Sequence, residues 1–196
     1  DSVAVLNNSV VGGNNAILGG GVYGLRSEIL IENSSLAGNI VKDTSTSYSC
    51  VTFSPCRTGT TRGRGSGLWL MDSENSMVIN SVVYGVGGEE LLGDLTVSYS
   101  DIRGGWTGPG NIDSDPKFLD IGGGGFRLAP DSPCIDSGTG TGLLTDLEGN
   151  PRPVDVKGRG IGQGFDMGCY EFQLKRADLD ENGWVGRFLL VLRFET

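Results

Sequence analysis

Asn8-Ser9-Val10-Val11-Gly12-Gly13 returns three times along the chain. It recurs as Asn33-Ser34-Ser35-Leu36-Ala37-Gly38, as Asn80-Ser81-Val82-Val83-Tyr84-Gly85 and as Tyr99-Ser100-Asp101-Ile102-Arg103-Gly104. Fixed-interval self-similarity of this kind marks a repeat architecture, here with a unit of about 19–25 residues. The second and third copies stand further apart than the rest. Gly20-Gly21-Val22-Tyr23 precedes the second copy just as Ser66-Gly67-Leu68-Trp69 precedes the third. The excess therefore lies between about 42 and 65, a Ser/Thr/Arg/Gly-rich stretch that reads as a loop.

The columns of the alignment say what each unit is. Leu6, Ile31, Val78 and Val97 are apolar two positions before the motif, and Val11, Leu36, Val83 and Ile102 are apolar within it. Ser9, Ser34, Ser81 and Ser100 share the face of that second column, because strand side chains alternate. Val10, Ser35, Val82 and Asp101 fall on the other face, and their mixed character predicts an outward column. Asn8, Asn33 and Asn80 stand where the chain bends between strands, and a stacked Asn ladder satisfies its amides from unit to unit. Short strands, Gly or Asn corners and no helical period predict a solenoid stacked at about 4.8 Å. The repeated Leu positions of a leucine-rich repeat are missing.

Composition bounds the function. Of 196 residues 34 are Gly, against a usual share of about 7%. The Gly is interleaved with Val, Ile, Leu, Asn and Ser and has no G-X-Y period, which excludes collagen and wholesale disorder. No apolar run approaches the ~18 residues of a membrane span. The chain contains no His, so Ser-His, Cys-His and His-metal chemistry is excluded. The net charge of −9 is spread along the chain, which argues against nucleic acid as a partner. The four Cys occur as Cys50 with Cys56 and Cys134 with Cys169, although three connectivities are formally open. An even count in an acidic Gly/Ser/Asn-rich chain favours an oxidising, extracellular setting.

The coils over 1–105 resemble the right-handed parallel β-helix of the pectin-lyase-like superfamily, in its secreted bacterial form. Asn111-Ile112-Asp113-Ser114-Asp115-Pro116-Lys117-Phe118, Ser132-Pro133-Cys134-Ile135-Asp136-Ser137-Gly138 and Asp166-Met167-Gly168-Cys169-Tyr170-Glu171-Phe172 resemble the region that follows such helices in choice-of-anchor Q proteins. So do Phe126-Arg127-Leu128 and Thr145-Asp146-Leu147-Glu148-Gly149-Asn150-Pro151-Arg152-Pro153. The resemblance implies an all-β chain: parallel β-helix coils over 1–105, an irregular cap over 106–172 and a short helical tail over 173–196. It places Cys134 and Cys169 in one cap and implies a disulfide between them; Cys50 and Cys56 are expected to staple a small loop around Pro55. The first coil carries no visible cap, so further coils are expected to precede it.

The chemistry is sparse. The Asn-Thr-Asp, Asp-Asp, Gly-His-Gly and Arg-Ile-Lys motifs of hydrolases on this fold are absent, as is the Asp-His motif of pectate lyases. Glu28, Glu32, Asp72, Glu74 and Asp101 fall in different columns and form no convincing pair. Aromatic side chains are better candidates, because their faces stack on sugar rings. Tyr23 and Trp69 occupy equivalent places in successive coils, and Tyr84 and Trp106 fall on outward or loop positions. Arg57, Arg62 and Arg64 in the insertion suit a uronate polymer, but three Arg on a Gly/Thr loop read first as solubilising charge. Asp113, Ser114, Asp115 and Asp120 read as turn formers.

Ala177-Asp178-Leu179-Asp180-Glu181-Asn182-Gly183-Trp184-Val185 resembles half of a type I dockerin, whose calcium loop takes oxygens from positions 1, 3 and 5. Those positions are Asp178, Asp180 and Asn182; position 12, where an acid belongs, is Leu189. Calcium binding here is expected to be about millimolar at best, and a cohesin-like partner is implied only if the loop works. The function expected from the sequence is a secreted or cell-surface β-helix module, non-catalytic in this chain, that binds or displays extracellular polysaccharide. The alternative is the C-terminal part of a polysaccharide lyase or glycoside hydrolase.

Overall fold

A computed structural model of the chain describes residues 2–42, 44–47, 58–61, 64–86, 89–119, 121–160 and 163–173. The first repeat supplies β1 (Ser2–Asn7), β2 (Val10–Gly12), β3 (Asn15–Ala16) and β4 (Val22–Leu25). The second supplies β5 (Ser27–Glu32) and β6 (Ser35–Val41), then β7 (Thr44–Ser47) and β8 (Thr58–Thr61) in the insertion, then β9 (Leu68–Met71). The third supplies β10 (Ser76–Ile79), β11 (Val82–Val86) and β12 (Leu91–Leu92), and the fourth β13 (Leu95–Ser98) and β14 (Asp101–Ile102). Strands of equivalent position pair in parallel. They build three sheets, ordered β1-β5-β10-β13, β2-β6-β11-β14 and β4-β9-β12. The fold is thus all-β with parallel sheets, and among the described residues helix is confined to one 3-10 turn at Ile121–Gly123.

The register follows the repeat alignment. Leu6 lies opposite Ile31, Ile31 opposite Val78 and Val78 opposite Val97. Val11, Leu36, Val83 and Ile102 pair in the same way on the second sheet. Ile31, Leu36, Val78, Val83, Val97 and Ile102 are buried in one cluster with Leu68, Leu70 and Leu91 of the third sheet. Each such side chain contributes roughly 1.5–3 kcal/mol by leaving water. The serine column forms a hydrogen-bonded stack beside it. The amide of Ser9 donates to Ser34 Oγ at 3.1 Å, that of Ser34 to Ser81 Oγ at 3.2 Å and that of Ser81 to Ser100 Oγ at 3.1 Å. Asn111 Oδ1 ends the series by accepting from the amide of Ser100.

The asparagine column does bend the chain. Asn8, Asn33 and Asn80 adopt left-handed φ of 44°, 44° and 48°, a conformation Asn tolerates better than other residues with a side chain. Its amides are satisfied differently from the expectation. One bond runs between repeats, from Asn80 Nδ2 to Asn33 Oδ1 at 3.0 Å. The other partners come from a later segment: Thr139 on Asn80, Thr141 on Asn33 and Thr145 on Asn8.

Three expectations are corrected. The insertion is not only loop: Thr44–Ser47 and Thr58–Thr61 form an antiparallel pair. The column expected to face outward is largely covered. Ser35, Val82 and Asp101 are fully buried, because the region after residue 111 packs across that sheet and sets Leu128, Cys134, Ile135, Val156 and Met167 against Val82. Third, Cys134 and Cys169 are buried free thiols, not a disulfide. Cys134 Sγ donates to Asp101 Oδ2 at 3.2 Å, whereas Cys169 belongs to a different cluster with Ala37 and Phe126. Cys50 and Cys56 lie outside the described residues.

Candidate functional site

In four-residue strands alternation exposes every second side chain. In β4 and β9 it turns Val22, Gly24, Leu68 and Leu70 inward and Tyr23, Leu25, Trp69 and Met71 outward. Tyr23 lies opposite Trp69 and Leu25 opposite Met71, and Leu92 of β12 extends the Tyr23–Trp69 column by one strand. Tyr23, Leu25 and Met71 are 47%, 43% and 40% exposed, so three large apolar side chains face solvent on one small sheet beside the half-buried Trp69. Contiguous exposed apolar surface is uncommon and marks interaction sites. The rings of Tyr23 and Trp69 stand 5.3 Å apart at 65°, so the surface is stepped rather than flat.

Glycines set these rings. Gly19 and Gly65 have φ of +59° and +64°, and a Cβ on either would come within 2.7 Å of Tyr23 Cβ or 2.6 Å of Trp69 Cβ. The amides of Gly19, Gly20 and Gly21 donate to the carbonyls of Arg64, Gly65 and Ser66, which holds the two glycine runs in register.

Tyr84 and Trp106 lie elsewhere. Tyr84 packs against the clusters under the cap, with the Arg103 guanidinium 5.4 Å from its ring centre. Trp106 is half-buried against the main core and lines a cleft of about 670 Å³ with Glu89, Leu92, Ile102, Arg103 and neighbouring glycines. Of the four predicted aromatics, the structure brings together Tyr23 and Trp69. The sequence reading missed Leu25, Met71 and Leu92, although the same alternation that exposes the two rings exposes their neighbours.

Acids with displaced proton affinity are found in the cap and beneath it. Burial pushes Asp136 up to about 6 and Asp101 up to about 6, Glu171 up to about 7 and Asp166 well above the usual carboxylate range. Their oxygens hold backbone amides. Asp166 accepts from Asp136 and Phe172, Glu171 from Val154 and Asp166, and Asp136 from Val156. Arg152 and Glu171 side chains are both fully buried with 3.7 Å between Nη1 and Oε2. Burial also raises the Cys134 and Cys169 thiols, which stay protonated and non-nucleophilic at neutral pH. This network organises the region after residue 111, and Glu171 with Asp146 also borders a cleft of about 440 Å³ there.

It does make stability depend on pH. Below about pH 4 both folded and unfolded chains hold these protons. As pH rises from the ordinary 3.8 of Asp and 4.5 of Glu through about 6 for Asp101 and Asp136 and about 7 for Glu171, the folded state binds more protons than the unfolded one. Stability therefore falls across that window. Asp146, held below its ordinary range by hydrogen bonds from Asn150, Glu171 and Glu148 that outweigh burial, acts oppositely and only under about pH 4. Thermal melts should show a higher midpoint at pH 5 than at pH 8; an equal or higher midpoint at pH 8 would refute this assignment.

Among the described residues no group of three or more His, Cys, Asp or Glu comes together for a metal ion. Asp113, Asp115 and Asp146 accept from nearby backbone amides, as turn formers do. Asp178, Asp180 and Asn182 lie outside the described residues, as do Arg57 and Arg62, whereas Arg64 is exposed. No described helix is long and apolar enough to cross a membrane. No protein-family model matches the chain, and no curated protein or solved structure matches it.

Proposed function

We propose that the chain is a right-handed parallel β-helix module of the pectin-lyase-like type, secreted or displayed at a cell surface, that binds extracellular polysaccharide without altering it. The parallel sheets, each taking one strand from successive repeats, support the fold reading. The observation that carries the function is the outward Tyr23–Trp69 pair flanked by exposed Leu25 and Met71. Aromatic rings offer their faces to the apolar C–H surfaces of sugars, and a fixed sheet holds them without an ordering cost on binding. The absence of His from the sequence and the engagement of the buried acids with backbone amides favour binding over turnover.

A glycan array with the whole chain tests the reading. Tyr23→Ala and Trp69→Ala should each weaken the glycan bound by wild type about tenfold, the effect of ~1.4 kcal/mol, with the thermal midpoint almost unchanged for exposed Tyr23 and lowered modestly for half-buried Trp69. A reducing-sugar and unsaturated-product assay on acidic polysaccharides should register nothing. Turnover would replace this reading with a lyase or hydrolase.

A further inference from the structure

We infer that the ligand of this module is a linear, uncharged polysaccharide that crosses the β4-β9-β12 face and continues into the cleft at Trp106. The inference rests on the reading of Tyr23 and Trp69 as a glycan face, and adds both a second subsite and the charge class of the sugar. Leu92 links the two places. It is the third member of the Tyr23–Trp69 column and also a wall of the cleft. The track therefore runs across the strands, and two steps along it cover about 9.5 Å at ordinary strand spacing.

The cleft has the size of a ligand site: about 670 Å³, within the usual range of roughly 300–1,000 Å³. A second, open depression shares Gly104, Gly105 and Trp106 with the cleft and adds Thr107. The packing of Trp106 on the core fixes its place. Gly104 and Gly105 turn the chain there with φ of +86° and +78°, and nothing lies within 4 Å of where a Gly104 Cβ would stand. An aromatic ring on a glycine turn beside a cleft suits the apolar face of a pyranose.

Charge selects the class of sugar. Among the described residues the cleft is lined by Glu89, by Glu90, whose carboxylate accepts from Ser66 and Gly85, and by Arg103, which faces neutral partners. Arg103 Nη1 donates to the Gly85 carbonyl and its guanidinium faces the Tyr84 ring. At the other rim Arg26 follows Leu25 and Asp72 follows Met71, so the charges there offset. With a net charge of −9 on the chain, a uronate polymer meets net long-range repulsion. A neutral sugar instead donates its hydroxyls to the Glu89 carboxylate and to backbone carbonyls.

Calorimetry on the full chain separates the possibilities, with short and long cello-, xylo- and manno-oligosaccharides set against oligogalacturonates. Binding is expected for one neutral series, tightening with length, with uronates at least tenfold weaker. Trp106→Ala should weaken the long neutral ligand about tenfold, equivalent to ~1.4 kcal/mol, and leave the disaccharide unchanged. Trp106→Phe, which keeps a ring against the core, should restore most of the loss and guards against simple misfolding. Uronates binding as tightly as neutral chains, or long-chain affinity indifferent to both Trp106 variants while Tyr23→Ala abolishes it, would overturn the inference and leave the glycan face standing. Wild-type protein that binds no glycan would overturn both.

Discussion

Replacing Arg152 by Met is expected to destabilise the fold by about 3–5 kcal/mol, the usual cost of removing one partner from a buried charged pair. Arg152 is buried with its guanidinium donating to the carbonyls of Asp166 and Gly168 and facing the Glu171 carboxylate. Met fills much of the volume but leaves two carbonyls and two acids without their cation. For a domain of this size, ~1 kcal/mol moves the midpoint by about 2–4 °C, so a fall on the order of 10 °C should appear in a thermal melt. The loss should be larger at pH 8 than at pH 5. Glu171 and Asp166 hold protons to higher pH than ordinary carboxyls, so at pH 5 Asp146 is the main negative charge left for Arg152 to offset. A loss equal at both pH values would show that Arg152 acts through its carbonyl contacts alone.

That network was not legible in the sequence, and the reason is specific. Asp136, Arg152, Asp166 and Glu171 are polar residues in segments without periodicity, and their partners, backbone amides for the acids and backbone carbonyls for Arg152, are brought near only by the fold. The parallel sheets were legible because a one-residue slip would have sent Ile31, Val78 and Val97 to solvent, so the apolar columns alone define the register. Local alternation also predicts that Val82 faces away from the first core, and it does. What alternation does not contain is the second layer: Ser35 Oγ accepts from the amide of Cys169, a contact 134 residues long. The same limit governs the candidate site. The equivalence of Tyr23 and Trp69 follows from the repeat, whereas the placement of Tyr84 under the cap depends on a segment that carries no repeat signal.

The asparagine column shows both sides of this limit in one residue type, and it yields the second large effect. Asn80 is fully buried and left-handed; its Nδ2 donates to Asn33 Oδ1 and to the Thr139 carbonyl, while its Oδ1 accepts from the Thr139 amide. Asn8 has nearly the same φ, but its amide makes an exposed bond to the Thr145 carbonyl. Truncating either to Ala imposes a similar left-handed strain of about 1–2 kcal/mol. Only at position 80 does truncation also strand buried partners, at about 1–3 kcal/mol. Asn80→Ala should therefore lose about 3–4 kcal/mol in urea unfolding and Asn8→Ala about half of that or less. Hydrogen exchange at the Thr139 amide should quicken in the first variant and not in the second. Equal losses in the two variants would mean that backbone strain dominates and that the segment 139–145 is held in place by contacts other than the asparagine column.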